Sequence, residues 1–277
     1  MAFALHLAPD GAIERPTLTP PLAATHKYAR GHAVVISGPA LSTGAARLSA
    51  EAALAVGAGL ITIVGDKAAL VEHAAHVTAI MLRERDPDFT AIDDRVRALL
   101  IGPGAGVGDD LMKDVAALLE RRLPIVLDAD ALTAVAAKPK TLAPMLHDNV
   151  VMTPHDGEFT RLFPDIALDD RVKAVQNAAT QSRAIVLLKG SETVVAKPDG
   201  RFAINRHASP WLATAGSGDF LAGLICGLLA QGNDAFDAAA IACWLHGDIG
   251  IRAGPGLTAD DMDRYLPLVL NDILEEA

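Results

Sequence analysis

A chain of 277 residues with 51% hydrophobic and 21% charged residues can build a sizeable core, and its length suits one large α/β domain. A formal charge of −10 excludes the clustered basic footprint of a nucleic-acid binder, although a glycine nest can hold phosphate without net positive charge. No apolar run reaches the length of a membrane span, the N-terminus lacks the basic start of a secretory signal, and Cys226 and Cys243 read as reduced core thiols, so the expected compartment is the cytoplasm.

Residues 1–25 hold Pro9, Pro16, Pro20 and Pro21 and little periodicity, and read as an extended N-terminal arm lying on the fold or on another subunit. Residues 33–37 read as a buried strand, residues 43–56 as an Ala-rich helix, and residues 60–64 as a second strand, which together make a parallel βαβ unit. Residues 83–94 are the most charged and least periodic part and are expected to be a surface loop. Four later strands each end in polar or glycine-rich residues. Residues 98–101 run into Gly102-Pro103-Gly104-Ala105-Gly106, and residues 124–127 into Asp128-Ala129-Asp130. Residues 150–152 run into Thr153-Pro154-His155-Asp156-Gly157-Glu158, and residues 184–188 into Lys189-Gly190-Ser191. In open α/β sheets ligands bind at those carboxyl ends. Pro198-Asp199-Gly200 between residues 193–197 and 202–205 signals a hairpin, hence antiparallel strands appended to a parallel sheet. Helices are expected over residues 218–229, 235–251 and 259–275, with residues 26–277 forming a single domain.

The stretch Ala213 to Gly223 carries the chemistry. Glycines let a backbone approach a ligand, and a helix start presents unpaired N–H groups to phosphate. Asp219 stands where a base could meet a hydroxyl beside that phosphate; taken alone, the stretch reads better as a helix start capped by Ser217 or Asp219, and the rest of the chain reverses that preference. No Gly-x-x-x-x-Gly-Lys-Ser/Thr and no Gly-x-Ser-x-Gly occurs, and the 102–108 run fails the dinucleotide spacing. His155 has no second histidine at zinc-ligand spacing and reads as a polar contact to substrate or a turn-stabilising bond. Glu158 either favours a helix start by its charge or organises a magnesium-bound water. Lys189 at a strand end is a snorkelling charge or a phosphate or adenine-side contact. His246, within an apolar helix, is expected to be a satisfied core histidine.

Taken together and in order, these stretches resemble the ADP/ATP-dependent NAD(P)H-hydrate dehydratases of the ribokinase-like superfamily. The resemblance rests on Thr43-Gly44-Ala45-Ala46, Gly102-Pro103-Gly104-x-Gly106, Asp128-Ala129-Asp130-Ala131-Leu132, Thr153-Pro154-His155-x-Gly157-Glu158, Leu188-Lys189-Gly190, Ala213 to Gly223 and Leu245-His246-Gly247, and covers roughly His26 to the C-terminus. It implies a three-layer α/β/α fold with a mostly parallel sheet and appended antiparallel strands. It implies a repair enzyme that phosphorylates the ring hydroxyl of the S epimer of hydrated NADH or NADPH with ADP or ATP and then eliminates phosphate. Carried over by motif, Asp219 is the catalytic base and Gly216, Ser217 and Gly218 form an anion hole. Lys189, Gly190, Ser191, Glu192, Thr193 and Gly218 contact the nucleotide. Ala45, Gly104, Gly106, His155 and Asp219 contact the hydrate. Mg2+ bridges the phosphates, with Glu158 reaching it through water. The same resemblance implies a homotetramer and a separate NAD(P)H-hydrate epimerase as functional partner, with no nucleic acid or membrane involved. The alternative is a ribokinase-like kinase acting on a vitamin-precursor or sugar hydroxyl. Departures from the family pattern fall at His26-Lys27-Tyr28, at His207 to Trp211 and at Asp156, around the substrate mouth rather than the phosphoryl centre.

Overall fold

The computed structural model describes residues 1–22 and 24–274. Its centre is a nine-stranded sheet. β1 (Ala2–Ala4) and β2 (Thr17–Thr19) form a separate antiparallel pair near the N-terminus. The main sheet takes β3 (His32–Ile36), β4 (Leu60–Gly65), β5 (Met81–Glu84), β6 (Val96–Ile101), β7 (Ile125–Leu127), β8 (Val150–Met152), β9 (Ile185–Leu188), β10 (Thr193–Ala196) and β11 (Phe202–Asn205), in the order β11-β10-β9-β8-β7-β6-β3-β4-β5. All neighbours from β5 to β9 are parallel, and β10 and β11 add antiparallel at one edge.

The strands are apolar runs because both faces are covered. Along β3, Ala33 and Val35 enter one core while Val34 and Ile36 enter the other; along β6, Ala98 and Leu100 alternate with Leu99 and Ile101 in the same way. The first core is closed by α1 (Gly44–Ala55), α8 (Ser217–Ala230), α9 (Ala235–Ala253) and α10 (Met262–Asp272). The second is closed by α3 (Asp109–Glu120), α4 (Asp130–Ala137), α6 (Asp156–Leu162) and α7 (Arg171–Ser182). Two short helices, α2 (Lys67–Ala74) and α5 (Pro139–Leu142), complete the chain. The result is the expected three-layer α/β/α fold.

Two segments differ from the sequence expectation. Arg83 and Glu84 belong to edge strand β5 rather than to a loop, with their side chains exposed, and Phe89 and Ile92 beyond them are core residues. Edge strands tolerate such charge because one side of the ladder faces water. The expected final helix begins with a 3-10 turn at Ala259–Asp261 before α10, and its proposed end at Glu275 lies outside the described residues. The first residues lie on this chain's own fold. Ile13 N–H donates to Ile204 O and Ile204 N–H to Gly11 O, each within 2.9 Å, so the segment caps the edge of β11.

Strand order reverses beside β3, since the chain proceeds outward through β4 and β5 and then returns to β6 on the opposite side. The loops leaving β3 and β6 therefore diverge and open a crevice, the place where ligands bind in such sheets. Gly104 has φ +63, and a Cβ on it would lie 2.6 Å from Ser42 O, so the two loops pack backbone to backbone. α8 reaches the same crevice because it packs tightly on α1: a Cβ on Gly223 would lie 2.2 Å from Ser49 O.

Candidate active site

The start of α8 holds the predicted base. Gly216 is its N-cap, and Asp219 lies in the first turn, half-buried. The single Ser49 hydroxyl of α1 is shared between the Asp219 carbonyl at 2.8 Å and Ala45 O at 3.0 Å, so one serine ties the predicted hydrate contact Ala45 to the turn that carries Asp219. Burial pushes the Asp219 carboxyl up to about 6; the Asp128 charge adds to this, Lys189 pulls against it, and Asp130 adds a smaller push.

The two aspartates after β7 face different ways because Ala129 between them has φ 48, a conformation that costs energy for a non-glycine residue and gathers at functional sites. Asp128 is buried, 2% exposed at its side chain, and accepts from Lys189 Nζ at 2.9 Å and from Thr153 Oγ1 at 2.7 Å. Asp130 Oδ2 accepts from Gly106 N–H at 2.8 Å, which holds the glycine turn after β6. Lys189 Nζ would stand 3.5 Å from a Cβ on Gly218, so the ammonium lies against the α8 start.

A cleft of ≈ 710 Å3 opens beside this cluster. Of the predicted nucleotide and anion residues, Lys189, Gly190, Ser191, Thr193, Ser217 and Gly218 line it, and so does His155. Glu192 does not: its carboxylate accepts from Arg206 Nε at 2.9 Å on the surface, leaving the strand-end turn to its backbone. Gly216 caps α8 outside the cleft wall, and Ala45, Gly104 and Gly106 lie with Asp130 toward the crevice. Asp219 thus has the Lys189 side on one hand and the Gly106–Asp130 side on the other.

His155 and Glu158 form a reciprocal capping box at α6. His155 Nδ1 accepts from Gly157 N–H at 3.0 Å, and Glu158 Oε2 accepts from His155 N–H at 2.9 Å. A histidine that accepts at Nδ1 carries its proton on Nε2, which here lies 3.7 Å from Glu158 Oε2 on a half-exposed ring. The sequence left a turn-stabilising role and a ligand contact as alternatives; the geometry is compatible with both at once. Glu158 has its helix-start role, with a side chain only 11% exposed.

His246 is the buried histidine its helix suggests. Burial pulls its imidazole down to about 4, so it is neutral at ordinary pH, and its Nε2 lies 2.9 Å from Ser217 Oγ. It also lines the cleft, which the apolar helical pattern did not indicate.

Two further residues, Arg171 and Asn205, and the bond made by Thr153 escaped sequence reading. Arg171 of α7 clamps the turn after β9: Nη2 donates to Lys189 O at 2.5 Å and Nε to Glu192 O at 3.2 Å, while Nη1 pairs with Asp156 Oδ1 at 2.8 Å. Asp156, a departure from the family pattern, therefore has a structural explanation, and an unexpected acid at that position was the one available signal for Arg171. Asn205 carried no signal, and the bond of the motif residue Thr153 to Asp128 carried none either, because the partners lie 38 and 25 residues away in the chain. The other departure, His207 to Trp211, forms the cleft wall through Ala208, Ser209 and Pro210, with a 3-10 turn over Pro210–Leu212.

Magnesium coordination fits this site on donor chemistry. Among the described residues no three acidic, imidazole or thiol groups converge as a cage. Mg2+ bound chiefly by phosphate oxygens and water needs none, and the Asp219 and Glu158 carboxylates stand beside residues that line the cleft. No helix among the described residues is long and apolar enough to cross a membrane.

Comparisons with known proteins show the family and the fold. A family model described as NAD(P)H-hydrate dehydratase matches residues 33–268. A bifunctional NAD(P)H-hydrate repair enzyme of Synechocystis is 39% identical over 279 aligned residues, covering 94% of this chain and 52% of its own, so the chain spans about half the length of such relatives. The ADP/ATP-dependent NAD(P)H-hydrate dehydratase of Bacillus subtilis, co-crystallized with ATP/Mg2+, has a TM-score of 0.81 at 27% identity, covering 93% of this chain and 95% of its own. A ribokinase-like superfamily protein of Enterococcus faecalis has a TM-score of 0.84 at 25% identity, covering 94% and 93%.

Proposed function

The chain belongs to the NAD(P)H-hydrate dehydratase family, and on that premise we propose that it restores NADH or NADPH from the S epimer of the hydrate, using ADP or ATP. The observation that carries this is the position of Asp219. It sits on a helix start between a cleft lined by Lys189, Gly190, Ser217 and Gly218 and the Ala45–Gly104–Gly106 crevice, with its carboxyl held near 6.

The adenine nucleotide occupies the cleft, and its terminal phosphoryl meets the N–H groups of the α8 start, where Gly216, Ser217 and Gly218 stabilise the charge that develops in transfer. Lys189 neutralises the phosphates; Gly190, Ser191 and Thr193 follow the nucleotide along the turn, and Glu192 contributes its backbone. The hydrate lies against Ala45, Gly104, Gly106 and His155, with its ring hydroxyl at Asp219. Asp219 takes the hydroxyl proton as the oxygen bonds the phosphoryl group, and the shortened nucleotide leaves. Phosphate then departs from the ring with the electron pair of its C–O bond, the adjacent ring carbon gives up a proton to water, and the double bond returns. Magnesium bound with the phosphates would offset their charge, and Glu158 would hold one of its waters.

We take residues 26–277 as one domain with residues 1–25 as its arm, working as a homotetramer in the cytoplasm, with an epimerase of the hydrate as functional partner. The test is recovery of nicotinamide absorbance when the protein is added to hydrated NADH with magnesium and ADP or, in parallel, ATP. Recovery with one nucleotide supports the reading and identifies the phosphoryl donor. No recovery with either, in a folded sample, overturns it.

A further inference from the structure

The cleft lining is chemically mixed. Lys189, Ser217 and Gly218 make part of it cationic and rich in donors. Leu221, one turn after Ser217 on α8, and Cys243, one turn before His246 on α9, add apolar surface to the same lining. Asn205 is the one amide among these lining residues, and it is 3% exposed.

The orientation of that amide is fixed. Asn205 Nδ2 donates to His207 O at 3.1 Å and to Cys243 O at 3.0 Å, so both amide hydrogens are spent on backbone carbonyls and a flipped amide would set oxygen against oxygen. Oδ1 is consequently locked as an acceptor, and it is buried with no partner among the described residues. A buried acceptor left unpaired is costly, and each one in a folded protein calls for an explanation. The donor it lacks is one that a ligand can bring, given the side-chain adjustments that accompany ligand entry.

We propose that Asn205 is the base-specificity residue of the nucleotide cleft, with its Oδ1 accepting from the exocyclic 6-amino group of adenine. This rests on the nucleotide reading of the cleft given above. A 6-amino purine supplies the hydrogen that Oδ1 needs, whereas a 6-oxo purine would set a carbonyl against it, leaving two acceptors face to face. Selection falls on the base, independently of whether two or three phosphates follow. Asn205 holds this role because β11 ends there, opposite Thr193 of β10, and because α9 offers the Cys243 carbonyl that locks its amide.

Calorimetric titration of the full chain with ADP, inosine diphosphate and purine riboside diphosphate, which bears hydrogen at C6, tests this. Wild-type protein is expected to bind both analogues at least ~10-fold more weakly than ADP. In Asn205→Ser the three are expected to fall within about three-fold of one another, through loss of ADP affinity. Equal binding of ADP and both analogues by wild type, or full discrimination surviving in a folded Asn205→Ser, overturns the assignment. If that variant does not fold, the wild-type comparison of ADP with purine riboside diphosphate decides, since those two differ only in the amino group. Absence of ADP binding to wild type would instead count against the nucleotide reading itself.

Discussion

Asp219 concentrates the energetic tension of the site in one side chain. Its carboxyl is moved from 3.8 up to about 6, first by burial and then by the Asp128 charge. As a base it is competent only when ionised, so kcat/KM is expected to rise with pH below about 6 and level off above it. A flat profile between pH 5 and 7 would remove Asp219 from the base role. Between pH 4 and 6 the folded protein holds a proton there that the unfolded chain has released, so this group's contribution to stability falls as pH rises through that window. Asp219→Asn removes the charge at constant shape. It is expected to be more stable than wild type at pH 7 by roughly 1–2 kcal/mol, after discounting for partial exposure, while turnover drops at least ~100-fold. Thermal melts alongside the recovery assay check both halves. Lys189→Met acts in the opposite sense. It strands the buried Asp128 charge, at a cost of roughly 3 kcal/mol, and removes the influence that holds the Asp219 carboxyl down. Its pH profile is expected to shift to higher pH relative to wild type.

At the scale of elements, the α1–α8 contact decides where Asp219 stands. A helix-interior glycine normally costs about 1 kcal/mol relative to alanine, so Gly223→Ala in an isolated helix would be stabilising. Here the new Cβ would meet Ser49 O at 2.2 Å, and α8 must move away from α1. Gly223→Ala is therefore expected to lower stability by about 3 kcal/mol in urea denaturation, against its helix propensity, and to reduce kcat as the Ser49–Asp219 tie is broken. A neutral or stabilising result would show that the helices have room to spare. The same elements explain what could be read from the sequence. β3, β6, β7, β8 and β9 were legible because strands covered on both faces are uninterrupted apolar runs, and their ends were legible because glycines, aspartates and Lys189 interrupt those runs abruptly. The edge was not: Arg83 and Glu84 in β5 look like loop residues because an edge strand is free to be charged. Nor was the docking of residues 11–13 on β11, a pairing across some 190 residues that no local pattern announces. In the site, Asp219 and Lys189 stood out by motif, whereas Asn205 and Arg171 act through partners that only folding brings near.

For the whole molecule, acid response depends on groups buried without charge. His246 is drawn down from 6.5 to about 4 by burial, and His32, His73 and His147 are shifted in the same direction, each chiefly by burial. In the unfolded chain these imidazoles take up protons below pH 6.5 that the folded chain refuses. Each contributes stability that is present above pH 6.5 and is lost as pH falls, with a slope of up to about 1.4 kcal/mol per pH unit. Asp219 works the other way over much of the same interval, because its folded form gains a proton before its unfolded form does. His246 and Asp219 therefore act in opposite senses between pH 4 and 6, and the two contributions can be separated by removing one at a time. In His246→Gln the decline of the melting temperature from pH 6.5 to 4 is expected to be shallower than in wild type; in Asp219→Asn it is expected to be steeper. Measuring the two variants against wild type cancels every other titrating group, so differences of the wrong sign would mean that His246 is charged in the folded state or that Asp219 is already ionised well below pH 6.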